Sequence, residues 1–152
     1  MVANVDLEQK KISLVSIPRD TRVKFSDGSY HKINAAYAYG GLDLVQNTVA
    51  DFLGIEIDYY LEVDYNDFID LVNLIGGIDL AIAKNLQYSD QAAGLNINLA
   101  AGEKNLTGEE ALGYVRFRHD SLGDIGRINR QQKFLKAAAD KLFSAKTVFQ
   151  IP

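Results

Sequence analysis

The sequence predicts a layered α/β domain, and three observations carry that expectation. Strand-like apolar runs alternate with helical stripes along the whole chain, and paired glycines stop helices at Gly40-Gly41 and Gly76-Gly77. The third is size: 152 residues at 47% apolar content suffice for one globular core. No internal repeat or boundary interrupts the pattern, so residues 1–152 read as a single domain.

Met1 to Val5 reads as a strand, Asp6 to Lys10 as a polar turn, and the near-continuous apolar run Ile12 to Ile17 as a buried strand ended by Pro18. Arg19-Asp20-Thr21-Arg22 then follows a strand C-terminus, where open α/β sheets gather ligand groups. Arg19 is therefore a candidate anion ligand, with a loop arginine paired to Asp20 as the alternative. Asp27-Gly28 marks a turn. Asn34 to Tyr39 forms a short helix closed by Gly40-Gly41, and Leu42, Val45, Val49 and Phe52 make a helical stripe stopped by Gly54. Tyr59 to Val63 is expected to be a strand, and Asp64 to cap a helix carrying Phe68, Leu71, Val72 and Ile75. Ile78 to Ala83 and Leu95 to Leu99 read as strands, linked by a polar surface loop from Lys84 to Gly94. Thr107-Gly108-Glu109-Glu110 fits a capping box that starts a short helix.

The chemistry concentrates in what comes next. Arg116 to Lys133 holds five basic against two acidic side chains, a net of +3 in a chain of net −4. Such a segment suits an anion, although a solvated basic face is the bland alternative. Arg116 and Arg118 are two apart, which aligns them on an extended chain but separates them by about 200° on a helix. Their convergence would require an extended segment. A helix is expected to begin near Ile125 to Arg127, with Asp124 as its N-cap. Its stripe Arg127, Gln131, Leu135, Ala138 and Leu142 puts polar groups at the N-terminal end of an apolar face, where free N–H groups already favour phosphate. Arginine suits phosphate because its planar fork pairs two oxygens at once and stays charged at any working pH.

Composition closes off several classes. Cysteine is absent, which removes thiol catalysis, disulfides and cysteine-ligated zinc. His31 and His119 lack metal-ligand spacing and read as ordinary polar residues. No run approaches the roughly 18 apolar residues of a membrane span, so this chain reads as soluble. The acidic balance argues against nucleic acid as a partner. No G-x-S-x-G elbow, Walker loop, G-x-G-x-x-G or H-E-x-x-H occurs, and what remains is a set of arginines.

Several segments together resemble the LytR-CpsA-Psr family, also called the cell envelope-related transcriptional attenuator domain. They are Ser16-Ile17-Pro18-Arg19-Asp20-Thr21, Lys32-Ile33-Asn34-Ala35-Ala36-Tyr37-Ala38-Tyr39-Gly40-Gly41, Gly76-Gly77-Ile78-Asp79, Leu106-Thr107-Gly108-Glu109-Glu110-Ala111-Leu112, Tyr114-Val115-Arg116-Phe117-Arg118, and Gly123-Asp124-Ile125-Gly126-Arg127-Ile128-Asn129-Arg130-Gln131-Gln132. They occur in family order and span nearly the whole chain. The resemblance implies a three-layer α/β/α domain with a central mixed β-sheet, here expected to lack its N-terminal strand. It further implies a phosphotransferase that attaches a glycopolymer, such as a teichoic acid or capsular polysaccharide, from a polyprenyl pyrophosphate carrier to peptidoglycan. Such enzymes sit in the cytoplasmic membrane with the catalytic domain on the extracytoplasmic face.

Carried over residue by residue, the resemblance makes Arg19, Arg116, Arg118, Arg127 and Gln131 the pyrophosphate ligands, with Arg19, Arg118 and Arg127 catalytic. Tyr37, Phe52, Phe68, Val72 and Ile75 are candidates for the prenyl tunnel, against the alternative of ordinary core packing. Magnesium is the cofactor the resemblance implies. Its two aspartates and the membrane anchor lie upstream in the family, so no metal ligand is assigned within this chain. The missing aspartates keep a second reading open, a non-catalytic binder of isoprenoid phosphates. A transcriptional regulator would need a helix-turn-helix, which the sequence does not show.

Overall fold

The computed structural model describes residues 1–6, 8–9, 11–91 and 94–143. The turn expected at Leu7 and Lys10, and the loop expected at Ala92-Ala93, lie outside the described residues. The contacts divide the chain into two compact units, Met1–Glu62 and a second beginning at Val63.

The first unit opens with an antiparallel pair, β1 (Val2–Asp6) and β2 (Lys11–Val15), registered so that Val2 faces Val15 and Asp6 faces Lys11. The expected buried strand is not buried: Ile12 is 39% and Val15 51% exposed. A two-stranded ribbon covers neither of its faces, and apolar sequence alone cannot supply the missing layer. A second hairpin, β3 (Arg22–Lys24) and β4 (Tyr30–Lys32), turns at Asp27-Gly28. There the Asp27 carboxylate accepts from both the backbone N–H and the hydroxyl of Ser29, which lowers its pKa, and Gly28 takes φ +87°. Helix α1 (Ala35–Leu53) is interrupted where two helices were expected to meet: Gly40 and Gly41 have non-helical backbones, and Gly54 closes the helix in the left-handed conformation. Val23, Phe25, Ile33 and Ala36 form this unit's core, with Val45 and Val49 packed on it.

In place of the strand expected at Tyr59 to Val63 the backbone is irregular, with Tyr59 90% and Leu61 86% exposed. β-propensity reports fitness for a half-buried pleated surface, and no described strand pairs with this run.

The second unit begins with α2 (Tyr65–Leu74), whose N-cap is Asp64 as expected, accepting from the N–H groups of Asn66 and Asp67 at 2.7 and 2.8 Å. Strands β5 (Ile78–Ile82) and β8 (Gly102–Leu106) pair antiparallel, and β6 (Leu86–Asp90) and β7 (Leu95–Leu99) form the hairpin between them in sequence. The expected loop from Lys84 to Gly94 thus contains a strand. Leu86 and Tyr88 alternate inward against Leu99 and Ile97, a period-two signal masked by polar neighbours. β8 carries one strongly apolar residue, Leu106, which faces Ile78; both are fully buried. Helix α3 (Gly108–Arg116) starts with the full Thr107/Glu110 capping box and packs on β7, while α4 (Gly123–Leu142) packs on β5. The α/β class therefore holds, and the described ladders are all antiparallel pairs.

Close packing fixes where α3 lies. A Cβ on Gly108 would stand 2.3 Å from the carbonyl oxygen of Ile69, so α2 and α3 touch backbone to backbone there. Asn73 Oδ1 accepts from the Gly108 N–H at 2.8 Å. Around this contact Val72, Ile78, Leu106, Ala111, Tyr114 and Phe134 build a core that ends directly beneath the arginine segment at Phe117.

Candidate functional site

Arg116 is not on an extended chain. It is the last residue of α3, Phe117 is the C-cap with an extended backbone (φ −58°, ψ 132°), and Arg118 follows outside the helix. The extended segment that convergence of Arg116 and Arg118 would require is therefore absent at Arg116, and a different pair of arginines is brought together. Asp124 is not the N-cap of α4 either; Leu122 holds that position without a side-chain cap bond, and Asp124 sits in the first turn. From there one oxygen, Oδ1, forms ion pairs with Arg118 Nε at 2.9 Å and with Arg127 Nη2 at 3.2 Å. The shared carboxylate gathers two guanidinium groups from a loop and a helix. Arg127 has a side chain 21% exposed, while Arg118 is about half exposed, so both are braced by the carboxylate and Arg118 is the more open to solvent.

The fourth arginine does different work. Arg130 is 8% exposed, donates from Nη2 to the carbonyl of Phe117 and from Nη1 to Asp120 Oδ2, and lies 5.1 Å over the Phe117 ring. The Asp120 side chain is more buried than that of Arg130 and also accepts from the Leu122 N–H at 3.2 Å. The guanidinium bond holds the Asp120 carboxyl below its ordinary pKa of 3.8. A Cβ on Gly126 would come within 2.7 and 2.8 Å of the Asp120 oxygens, so the absence of a side chain there lets α4 approach the pair. This buried pair ties the loop's start, its middle and α4 together. It was invisible in sequence, because the partners are ten residues apart across an irregular loop.

Arg116 has neither partner. Its guanidinium stacks 4.4 Å above the ring of Tyr65, and among the described residues it has no carboxylate. Gln131, one turn beyond Arg127, donates to the Val115 carbonyl at 3.4 Å and so links α4 to the last turn of α3. With Arg130 neutralised by Asp120, three arginines stand against one aspartate, an excess of two positive charges from the arginines alone, beside Lys133 in the same segment. Pyrophosphate esterified at both ends carries one negative charge on each phosphorus, so the match is close to neutral.

Arg19 belongs to the first unit. It lies in a turn held by Thr21, whose N–H and hydroxyl both bond the Pro18 carbonyl, and its own carbonyl accepts from the Asn34 N–H. Its side chain is 58% exposed and 3.9 Å from Asp20, which also takes Lys32 at 2.8 Å. Of the tunnel candidates, Tyr37 and Phe52 are exposed residues of the first unit, with the Tyr37 hydroxyl donating to Glu62 at 2.9 Å. Phe68, Val72 and Ile75 belong to the core of the second, where Phe68 packs 5.0 Å from Phe134. A cleft of about 690 Å³ in the first unit is lined by Asp51, Glu56 and Asp58, the wrong sign for an anion. Among the described residues, no three of His, Cys, Asp and Glu are grouped to hold a metal ion. No described helix is long and apolar enough to cross a membrane.

The sequence profile of the LytR_cpsA_psr family matches residues 1–152. The chain belongs to that family. TagV of Bacillus subtilis, named a polyisoprenyl-teichoic acid–peptidoglycan teichoic acid transferase, is 42% identical over 99% of this chain and 40% of its own length. The regulatory protein MsrR of Staphylococcus aureus is 34% identical over 100% of this chain and 46% of its own. The chain thus spans under half the length of these curated relatives. Among solved structures, the crystal structure of B. subtilis TagV superposes with a TM-score of 0.84 at 40% identity, covering 98% of this chain and 58% of that one. TagT bound to LI-WTA gives 0.69 at 34% identity, covering 89% and 52%.

Proposed function

We propose that this chain is the pyrophosphate-handling part of a phosphotransferase that moves a glycopolymer from a polyprenyl pyrophosphate carrier onto peptidoglycan at the outer face of the cytoplasmic membrane. The observation that carries the reading is the pair Arg118 and Arg127 gathered on one oxygen of Asp124, with Arg116 beside them in sequence and an excess of two positive charges. Membership of the family and the names of TagV and its relatives support the substrate class.

The chemistry asks for little else from side chains. An acceptor hydroxyl on peptidoglycan bonds to the phosphorus that carries the sugar, the bond from that phosphorus to the bridging oxygen breaks, and polyprenyl phosphate leaves with that oxygen while the hydroxyl proton passes to the departing phosphate or to solvent. Charge builds on the phosphate oxygens, and catalysis of such a transfer is mostly positioning and charge neutralisation. Arg118 and Arg127 supply both, Gln131 ties α4 to the last turn of α3, and Arg19 is assigned the same head-group role by the family motif it lies in. Magnesium, in this reading, is held by residues outside this chain.

The test is ligation by the full-length protein, supplied with polyprenyl pyrophosphate-linked glycopolymer and peptidoglycan, beside its Arg118→Ala and Arg19→Ala variants. Linked product that falls by at least tenfold in each variant supports the reading. Undiminished ligation by Arg118→Ala would sink it. Lipid binding without any linkage by the wild type would favour a non-catalytic isoprenoid phosphate binder.

A further inference from the structure

Arg116 differs from the other arginines of its segment in what holds it. Arg118 and Arg127 are braced by a carboxylate and Arg130 by a carboxylate and a carbonyl, whereas Arg116 is held by a ring. Its guanidinium carbon lies 4.4 Å from the centroid of Tyr65, the first residue of α2, inside the range of cation–π attraction. The two kinds of support have different consequences for a ligand. A carboxylate bonds the in-plane N–H edge of the fork and cancels its charge, while a ring occupies only the face. Stacking therefore fixes the plane of the guanidinium yet leaves all five donors and the full charge for another anion. Arg116 is half-buried and Tyr65 is 58% exposed, so the ring is a platform at the surface rather than a packed core residue.

We propose that Tyr65 is a positioning residue that presents the uncompensated fork of Arg116 to a phosphate of the substrate. Arg116 then makes the bond that requires no prior ion pair to be rearranged, and the Arg118–Asp124–Arg127 group adjusts around it. The inference rests on the proposed function, and it predicts that the face of the ring matters while the hydroxyl does not.

The experiment is calorimetric titration of geranylgeranyl diphosphate into the chain and four variants: Tyr65→Phe, Tyr65→Leu, Arg116→Met, and Tyr65→Leu combined with Arg116→Met. Tyr65→Phe should bind within twofold of the wild type. Tyr65→Leu should bind about 2- to 5-fold more weakly, the equivalent of an exposed cation–π contact. In the Arg116→Met background Tyr65→Leu should cost nothing further, a coupling that a merely structural role for Tyr65 at the start of α2 would not produce. Equal affinity of Tyr65→Leu and wild type, or additive losses in the double variant, overturns the proposal while leaving the phosphotransferase reading intact. Binding absent from the folded wild type overturns both. Thermal unfolding of each variant guards the comparison, and rescue by Tyr65→Phe but not Tyr65→Leu is the signature expected.

Discussion

Replacing Arg118 with alanine separates a binding role from a structural one, because the structure gives opposite magnitudes for the two. Among the described residues Arg118 makes one ion pair, to Asp124 at 2.9 Å, with both side chains nearly half exposed. Pairs so open to solvent contribute about 0.2–1 kcal/mol, and at this chain length each kcal/mol moves the unfolding midpoint by about 2–4 °C. The midpoint should therefore fall by less than about 4 °C. Binding should suffer far more. Nε is committed to Asp124, which leaves the N–H groups of both terminal nitrogens for phosphate, and one charge-assisted hydrogen bond is worth roughly 1.5–3 kcal/mol. Loss of one such bond weakens affinity roughly 10- to 150-fold. Calorimetric titration of a short polyprenyl pyrophosphate, paired with thermal denaturation of the same samples, reads both quantities. An affinity within about threefold of wild type, or a midpoint drop that accounts for the lost binding, would refute the reasoning and return Arg118 to the surface ion pairs.

Further expectations follow from the same geometry. The Asp120 carboxyl is depressed below 3.8 by Arg130, so its contribution to stability is fully present above that value and is lost as acid drives the pH through the folded pKa. The unfolding midpoint should be level from neutrality to about pH 5 and fall below about pH 4, with Asp120→Asn flattening the acid limb; an unchanged limb would deny the pair its role. Gly108→Ala forces a Cβ against the Ile69 backbone at 2.3 Å, which a flexible side chain cannot absorb. A loss of about 1–3 kcal/mol or more is expected in denaturant titration, and a neutral result would show that α2 and α3 can part.

Local chemistry was legible wherever it acts over a few residues. The Asp64 cap, the Thr107/Glu110 capping box, the Gly54 stop and the Gly40-Gly41 break all stand where composition and spacing put them. Each depends on backbone groups within four residues, which sequence supplies directly. Strand β6 and the fate of Tyr59 to Val63 were misread for a shared reason. A strand exists through its partner, so polar Leu86–Asp90 pairs with Leu95–Leu99 while an apolar, β-branched or aromatic run without a described partner stays irregular.

The sequence by itself determined the α/β class, the capped starts of α2 and α3, the Gly54 stop and the presence of a basic segment bearing Arg116, Arg118 and Arg127, because these follow from periodicity, capping and charge count. Only the tertiary structure decided what each arginine does. It paired Arg130 with Asp120 across a ten-residue gap, made Asp124 a shared brace rather than a cap, and laid Arg116 on Tyr65, fifty-one positions earlier in the chain. Ion pairs and stacking act over a few ångströms in space, and the folding of α2, α3 and α4 onto one core brings such distant positions within reach.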